Sequence, residues 1–219
     1  MYILQRYDLR SMQSPIKDQG QRGTCVAFAA TAGHEYLRKD NIDLSEEFLY
    51  WGCKQIDGIV DDNGTTLSSA IISLKKDGQA YETDWPYNSQ RLITAQTYNP
   101  PRAALQNALN NKITYGVQTP INVESVKERL KENYAVIVGV ILFEEFFNPI
   151  KGFISLPQNE SNNYGGHAIL IAGWEDSFCN GVFIIRNSWG LSWGLNGYAY
   201  LPYDYFLKFT LDVRSFKHQ

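Results

Sequence analysis

Cys25 stands at the start of a stretch from Thr24 to about Lys39 that is rich in Ala, Val, Phe and Leu and contains no proline. The small residues Ala27, Ala29, Ala30 and Ala32 would let such a segment pack closely all round, so it is expected to form a central buried helix opening at Thr24-Cys25. Unpaired N–H groups and the helix dipole stabilise an anion at that end, which brings a thiolate within reach near neutral pH. A cysteine there is placed to act as a nucleophile. Far downstream, Gly165-Gly166-His167-Ala168 leads into one β-prone run and Arg186-Asn187-Ser188-Trp189-Gly190 closes another. A cysteine and an imidazole can form a thiolate–imidazolium couple, in which the histidine first stabilises the thiolate and then protonates a leaving amine. An amide carbonyl on the other ring nitrogen would fix the tautomer, and Asn187 can supply it.

These groups need elements to hold them. A second helix is expected from about Leu67 to Lys76, where Leu67, Ala70, Ile71 and Leu74 follow helical spacing and Gly78 offers a C-cap. A third runs from Val123 to about Glu132, capped by Asn122 and striped by Val123, Val126 and Leu130. After it come the short β-prone runs 135–142, 168–174, 182–186 and 198–201, broken by Gly, Asn, Asp and Pro, with turns that suggest antiparallel pairing. The fold class expected is therefore α+β, with a helical N-terminal lobe, a β C-terminal lobe and a cleft between them. The chain reads as a single domain over 1–219, with the helical lobe at about 12–117 and the β lobe at about 118–205.

Composition narrows the function classes. Of 219 residues, 44% are hydrophobic and 20% charged, a globular balance. The 20 Lys and Arg against 23 Asp and Glu leave a net charge of -3, with no basic footprint for nucleic acid. The apolar runs fall well short of the roughly 20 residues of a membrane span. Residues 1–6 lack the pattern of a secretory signal, so a cytoplasmic or otherwise intracellular home is expected, with export by a non-classical route also open. Cys25, Cys53 and Cys179 form no C-x-x-C pair. The spacings of the three cysteines and three histidines fit no zinc site, and no cofactor or metal is implied.

Taken together, the blocks Gln19-Gly20, Gly23-Thr24-Cys25, Gly166-His167-Ala168 and Asn187-Ser188-Trp189-Gly190 resemble those of the papain-like cysteine peptidases, in the family's order and at about its separations. The weaker matches Leu44-Ser45-Glu46-Glu47, Asn63-Gly64 and Trp85-Pro86-Tyr87 agree with the family's helical lobe. The resemblance implies the papain-like two-lobe fold with a β-barrel-like second lobe, and an endopeptidase forming a thioester at Cys25 with His167 as general acid and base. It also implies that the Gln19 side chain and the Cys25 N–H bind the oxyanion, that Asn187 orients His167, and that Trp189 shields that contact from water. A polypeptide substrate would lie against Gly23, Asn63, Gly64, Thr65, Thr66 and Leu67 on one side and Gly165, Gly166 and Trp189 on the other. The substrate side chain two positions before the scissile bond would then enter a roomy, uncharged pocket that favours Leu, Val or an aromatic residue. A protein inhibitor or propeptide is a further partner implied by the resemblance.

The departures are as informative. The family commonly has a cysteine three residues before the nucleophile and an aromatic residue after it, where this chain has Arg22 and Val26. No cysteine follows Trp85-Pro86-Tyr87 to pair with Cys53, so no structural disulfide is expected and the chain resembles disulfide-poor, bacterial-type members. The inhibitory propeptide common in the family has no counterpart within the 24 residues ahead of Cys25. Acyl transfer to an amine, deamidation, or a silent peptide-binding module remain alternative readings. His34 is expected to pack or face the surface, and His218 to be solvated.

Overall fold

The alanine-rich run forms helix α1, Cys25–Arg38, and every residue from Val26 to Leu37 is buried. The computed structural model describes residues 5–59, 63–91 and 99–218; residues 1–4, on which the signal-peptide expectation partly rests, lie outside it. α1 can be enclosed on all sides because its small residues admit neighbours closely. A Cβ added at Gly33 would lie 2.9 Å from Ala135 Cβ and from Phe216 Cζ, so the glycine lets the helix sit directly on the sheet behind it.

Helices α2 (Glu46–Asp57), α3 (Leu67–Lys76) and α4 (Arg102–Ala108) complete the helical lobe. Side-chain caps set the starts of α2 and α3: Ser45 Oγ accepts from the Phe48 N–H at 3.0 Å and Thr66 Oγ1 from the Ser69 N–H at 3.0 Å. α3 has the bounds its apolar stripe predicts, and Gly78 closes it at φ 77°, donating its N–H to Ser73 O. α2 is less legible, because Glu46, Glu47 and Lys54 are buried among its apolar residues and interrupt the stripe. The fold pairs those charges: Glu46 with Lys17 at 2.8 Å, and Glu47 with Arg22 at 2.6 Å. Arg22, standing where the family commonly has a cysteine, also lies over the rings of Tyr50 and Tyr87.

The second lobe is an antiparallel sheet. Its strands are β1 (Arg6–Asp8), β2 (Tyr115–Gln118), β3 (Ala135–Ile141), β4 (Gly166–Glu175), β5 (Val182–Arg186), β6 (Tyr198–Pro202) and β7 (Thr210–Lys217). The order is β2-β7-β3-β4-β5-β6, with β1 paired to β4. Helices α5 (Val123–Lys131), α6 (Glu144–Phe147) and α7 (Tyr203–Phe209) fill the connections. The sheet is open, running from β2 to β6 without closing, so the lobe is barrel-like only loosely.

The lobe also extends beyond the expected end near 205. β7 lies between β2 and β3, and β1, from the start of the chain, pairs with β4. β7 escapes a hydrophobic scan because, of its eight residues, only Val213, Ser215 and Phe216 are buried, and one of these is polar. His218 at the end of that strand is half-buried rather than solvated, its ring 4.9 Å from that of the buried His34. All three cysteines are free. Among the described residues no helix is long and apolar enough to cross a membrane.

Candidate active site

Cys25 is the first residue of α1. Thr24 precedes it as N-cap but makes no side-chain bond to the helix, because its Oγ1 is engaged with Tyr87 Oη at 2.8 Å. The N–H groups of the first turn are thus left uncapped by that side chain, at the end of the helix dipole that favours negative charge.

His167 lies near the start of β4, opposite Val140 of β3, and is buried. Its Nε2 is 2.7 Å from Asn187 Oδ1. Asn187 immediately follows β5 and is held by its own N–H, which donates to Gly197 O at 3.0 Å. Oδ1 also accepts from the Ser188 N–H at 2.8 Å, which fixes the amide with its oxygen toward the imidazole. Nε2 must therefore be the donor, and in the neutral ring Nδ1 carries the lone pair. Aromatic rings enclose this contact: Trp189 has its centroid 4.7 Å from that of His167, Phe147 stacks on Trp189 at 8°, and Phe146 lies 5.8 Å from His167.

Gln19 reaches the site on a short segment that runs antiparallel to residues 188–190. Its N–H donates to Ser188 O at 2.9 Å, and the Gly190 N–H donates to Lys17 O at 3.2 Å. The buried side chain is fixed at both ends, Oε1 accepting from Ser188 Oγ at 2.6 Å and Nε2 donating to Arg22 O at 2.8 Å. One amide hydrogen of Gln19 is left for another acceptor.

Burial dominates the electrostatics. It pushes the Cys25 thiol up, against hydrogen bonds from the backbone of Ala168, Val26 and Cys25 itself that favour the thiolate. It pushes His167 down to about 4, offset in part by the bond to Asn187. Each shift belongs to one group charged alone. If the proton passes from sulfur to nitrogen, the two charges arise together and partly offset each other in the low-dielectric site, so forming the pair costs less than forming either charge by itself.

Cys25 and His167 line one open cavity of about 630 Å³. Gly23, Asn63, Gly64, Thr65, Thr66 and Leu67 form its helical wall, and Gly165 and Gly166 stand opposite. Gly23 is confined there, since a Cβ would fall 1.3 Å from Asn63 O. Trp189 is not among the residues lining this cavity; its half-buried ring lies beside it over His167. Nor is the cavity uncharged: Leu211 and Asp212 of β7 line it, and Asp212 Oδ2 accepts from Arg214 Nε at 2.8 Å. Neither residue is signalled by the sequence, because β7 has too few buried apolar residues to show a strand pattern. Ser188, which stands in the Asn187-Ser188-Trp189-Gly190 block, gains its part in the site from the bond to Gln19, and Phe146 and Phe147 from their contacts over His167 and Trp189.

The sequence pattern described as "Papain family cysteine protease" matches residues 3–207. Cysteine proteinase 3 of Entamoeba histolytica is 30% identical over 202 residues, covering 90% of this chain and 62% of that protein. An uncharacterized peptidase C1-like protein of Acanthamoeba polyphaga mimivirus is 28% identical over 205 residues, covering 86% of this chain and 64% of that one. The chain thus spans about three fifths of the length of these curated relatives. Among solved structures, the cysteine protease xylellain from Xylella fastidiosa matches with a TM-score of 0.88 at 26% identity, covering 100% of this chain and 87% of that one. With its residues 3–207 matched and this fold and site in place, the chain belongs to the papain family of cysteine proteases.

Proposed function

We propose that this chain hydrolyses peptide bonds through an acyl-enzyme at Cys25. The observation that carries the proposal is the shared placement of Cys25 and His167 on one cavity, with His167 Nε2 tied to Asn187 Oδ1 at 2.7 Å so that Nδ1 is the nitrogen available to the thiol. Nδ1 takes the thiol proton, and the sulfur attacks the substrate carbonyl carbon. The carbonyl oxygen becomes an oxyanion, received by the free amide hydrogen of Gln19 and the N–H of Cys25. Collapse breaks the C–N bond as the imidazolium gives its proton to the departing amine, leaving a thioester. Water, deprotonated by His167, then attacks the thioester, releasing the acid and restoring the thiol.

The catalytic set is thus Cys25, His167, Asn187 and Gln19, with a polypeptide chain lying between the helical wall at 63–67 and the edge at 165–166. The main cavity, walled by Leu67 and Leu211, suits an apolar side chain, and Asp212 spends its charge on Arg214 instead of facing the substrate unpaired.

Incubation with a random peptide library, followed by mass analysis of the products, tests this reading. The wild-type protein should yield new carboxyl and amino termini, and Cys25→Ala should yield none while keeping the wild-type circular dichroism spectrum. Equal cleavage by Cys25→Ala would overturn the proposal. Products joined to an added amine in preference to water would point to acyl transfer instead.

A further inference from the structure

Among the buried charges of helix α2, Glu47 and Lys54 stand seven residues apart, which places them two turns apart on one face. Glu47, at 0% side-chain exposure, pairs with Arg22 in the segment leading to the nucleophile. Lys54, at 1%, has other partners: Nζ donates to the backbone carbonyl of Gly64 at 2.9 Å and pairs with Asp57 Oδ2 at 3.2 Å. The Asp57 side chain is at 0% exposure and its Oδ1 accepts from the Ile59 N–H at 2.9 Å.

Gly64 belongs to the wall of the cavity that holds Cys25 and His167, and so does its neighbour Thr65. At its far end this wall is anchored by Thr66, which caps α3. At its near end Asn63 O presses on Gly23, two residues before the nucleophile. Between these anchors the Gly64 carbonyl is gripped from behind by the Lys54 ammonium. No disulfide is available for the task, since all three cysteines are free. Packing alone is a poor reason for a lysine there. Desolvating an ammonium and a carboxylate is unfavourable, and an apolar pair of the same volume is often as stable or more so. What the ion pair supplies is direction: a charged donor aimed at one carbonyl fixes the plane of that peptide group, and an apolar side chain would not.

We propose that Lys54, charge-balanced by Asp57, is a positioning residue that sets the backbone of residues 63–65 for recognition of an extended peptide on the acyl side of the scissile bond. This rests on the peptidase reading above. Lys54 touches no reacting atom, so its effect should fall on substrate binding and grow with the length of substrate that reaches the wall.

The test compares the wild-type protein with Lys54→Met/Asp57→Asn, which removes both charges of this pair together. For a substrate with four residues on the acyl side, KM should rise roughly tenfold, the effect of one well-placed hydrogen bond, while kcat falls less than twofold. For a substrate with one residue there, KM should change less than twofold. The alkylation rate of Cys25 by iodoacetamide reports whether the nucleophile has moved, and should match the wild type. Equal KM changes for long and short substrates, or a loss confined to kcat, would refute the proposal. The same comparison is made by measuring the Kd of the long peptide in the Cys25→Ala background, where no turnover is needed. If the wild-type protein cleaves nothing, the peptidase reading fails, and a roughly tenfold weaker Kd in the charge-free variant still upholds the role of Lys54, whereas an unchanged Kd rejects it.

Discussion

Asn187 Oδ1 accepts from His167 Nε2 at 2.7 Å and so permits one neutral tautomer of that ring. Removing the carbonyl frees the imidazole to turn or to carry its proton on the wrong nitrogen, but leaves the base itself in place. Asn187→Ala should therefore retain measurable turnover. His167→Ala should lose roughly 10²–10⁴-fold in kcat, the usual worth of a positioned acid–base group. Steady-state kinetics of the two variants decide the matter, and a larger loss in Asn187→Ala would reverse the roles assigned here.

Gln19 is held by Ser188 at one end and by Arg22 O at the other, so its remaining amide hydrogen has a fixed direction. An oxyanion exists only after attack, so Gln19→Ala should lower kcat by roughly 10²-fold with little change in KM. A pure KM effect would mean that the amide binds the ground state.

Burial raises the Cys25 thiol when it must ionise without a partner. In His167→Ala the thiolate has no imidazolium beside it, and the pH profile of iodoacetamide alkylation should shift to more alkaline pH than in the wild type. Identical profiles would show that the two groups do not share a proton.

His34 is buried with Nδ1 2.8 Å from Gln79 Oε1, and burial lowers its pKa from 6.5 to about 3. The groups around it are Gln79, the His218 ring, Arg38 and Asp40. The folded pKa lies below the unfolded one, so the neutral ring contributes stability that is present above pH 6.5 and lost as pH falls toward 3. For His34 alone the loss between pH 7 and pH 5 is about 2 kcal/mol, taking the unfolded value as 6.5. Urea unfolding at the two pH values should show it, and His34→Gln should flatten the difference. An unchanged slope in that variant would assign the acid sensitivity elsewhere.

Cys25, His167 and Asn187 could be read from the sequence because each sits at the boundary of a strongly patterned element: an alanine-rich helix for the first and β-branched strands for the others. α3 and β5 were equally plain. What stayed hidden depends on partners distant in the chain. The charges of α2 look like surface residues until Lys17 and Arg22 come to meet them. β7 looks polar until it is seen between β2 and β3, and with it went Asp212 on the cavity wall. The aromatic cover over His167 takes Phe146 and Phe147 from a four-residue helix too short to leave a periodic signal.

Gly33 brings α1 onto the sheet with a clearance that a single methyl group would exhaust. Cys25 lies eight residues away on the same helix, a lever arm of about 12 Å at 1.5 Å per residue. The sheet at the fulcrum includes β3 and β4, and β4 carries His167. Nucleophile and base therefore share one mechanical joint: any change that pries α1 from the sheet there, whether a bulkier side chain or thermal dilation of the contact, is transmitted along the rod as a displacement of sulfur from nitrogen. Turnover should then register loosening at this joint at temperatures where the fold as a whole is still intact.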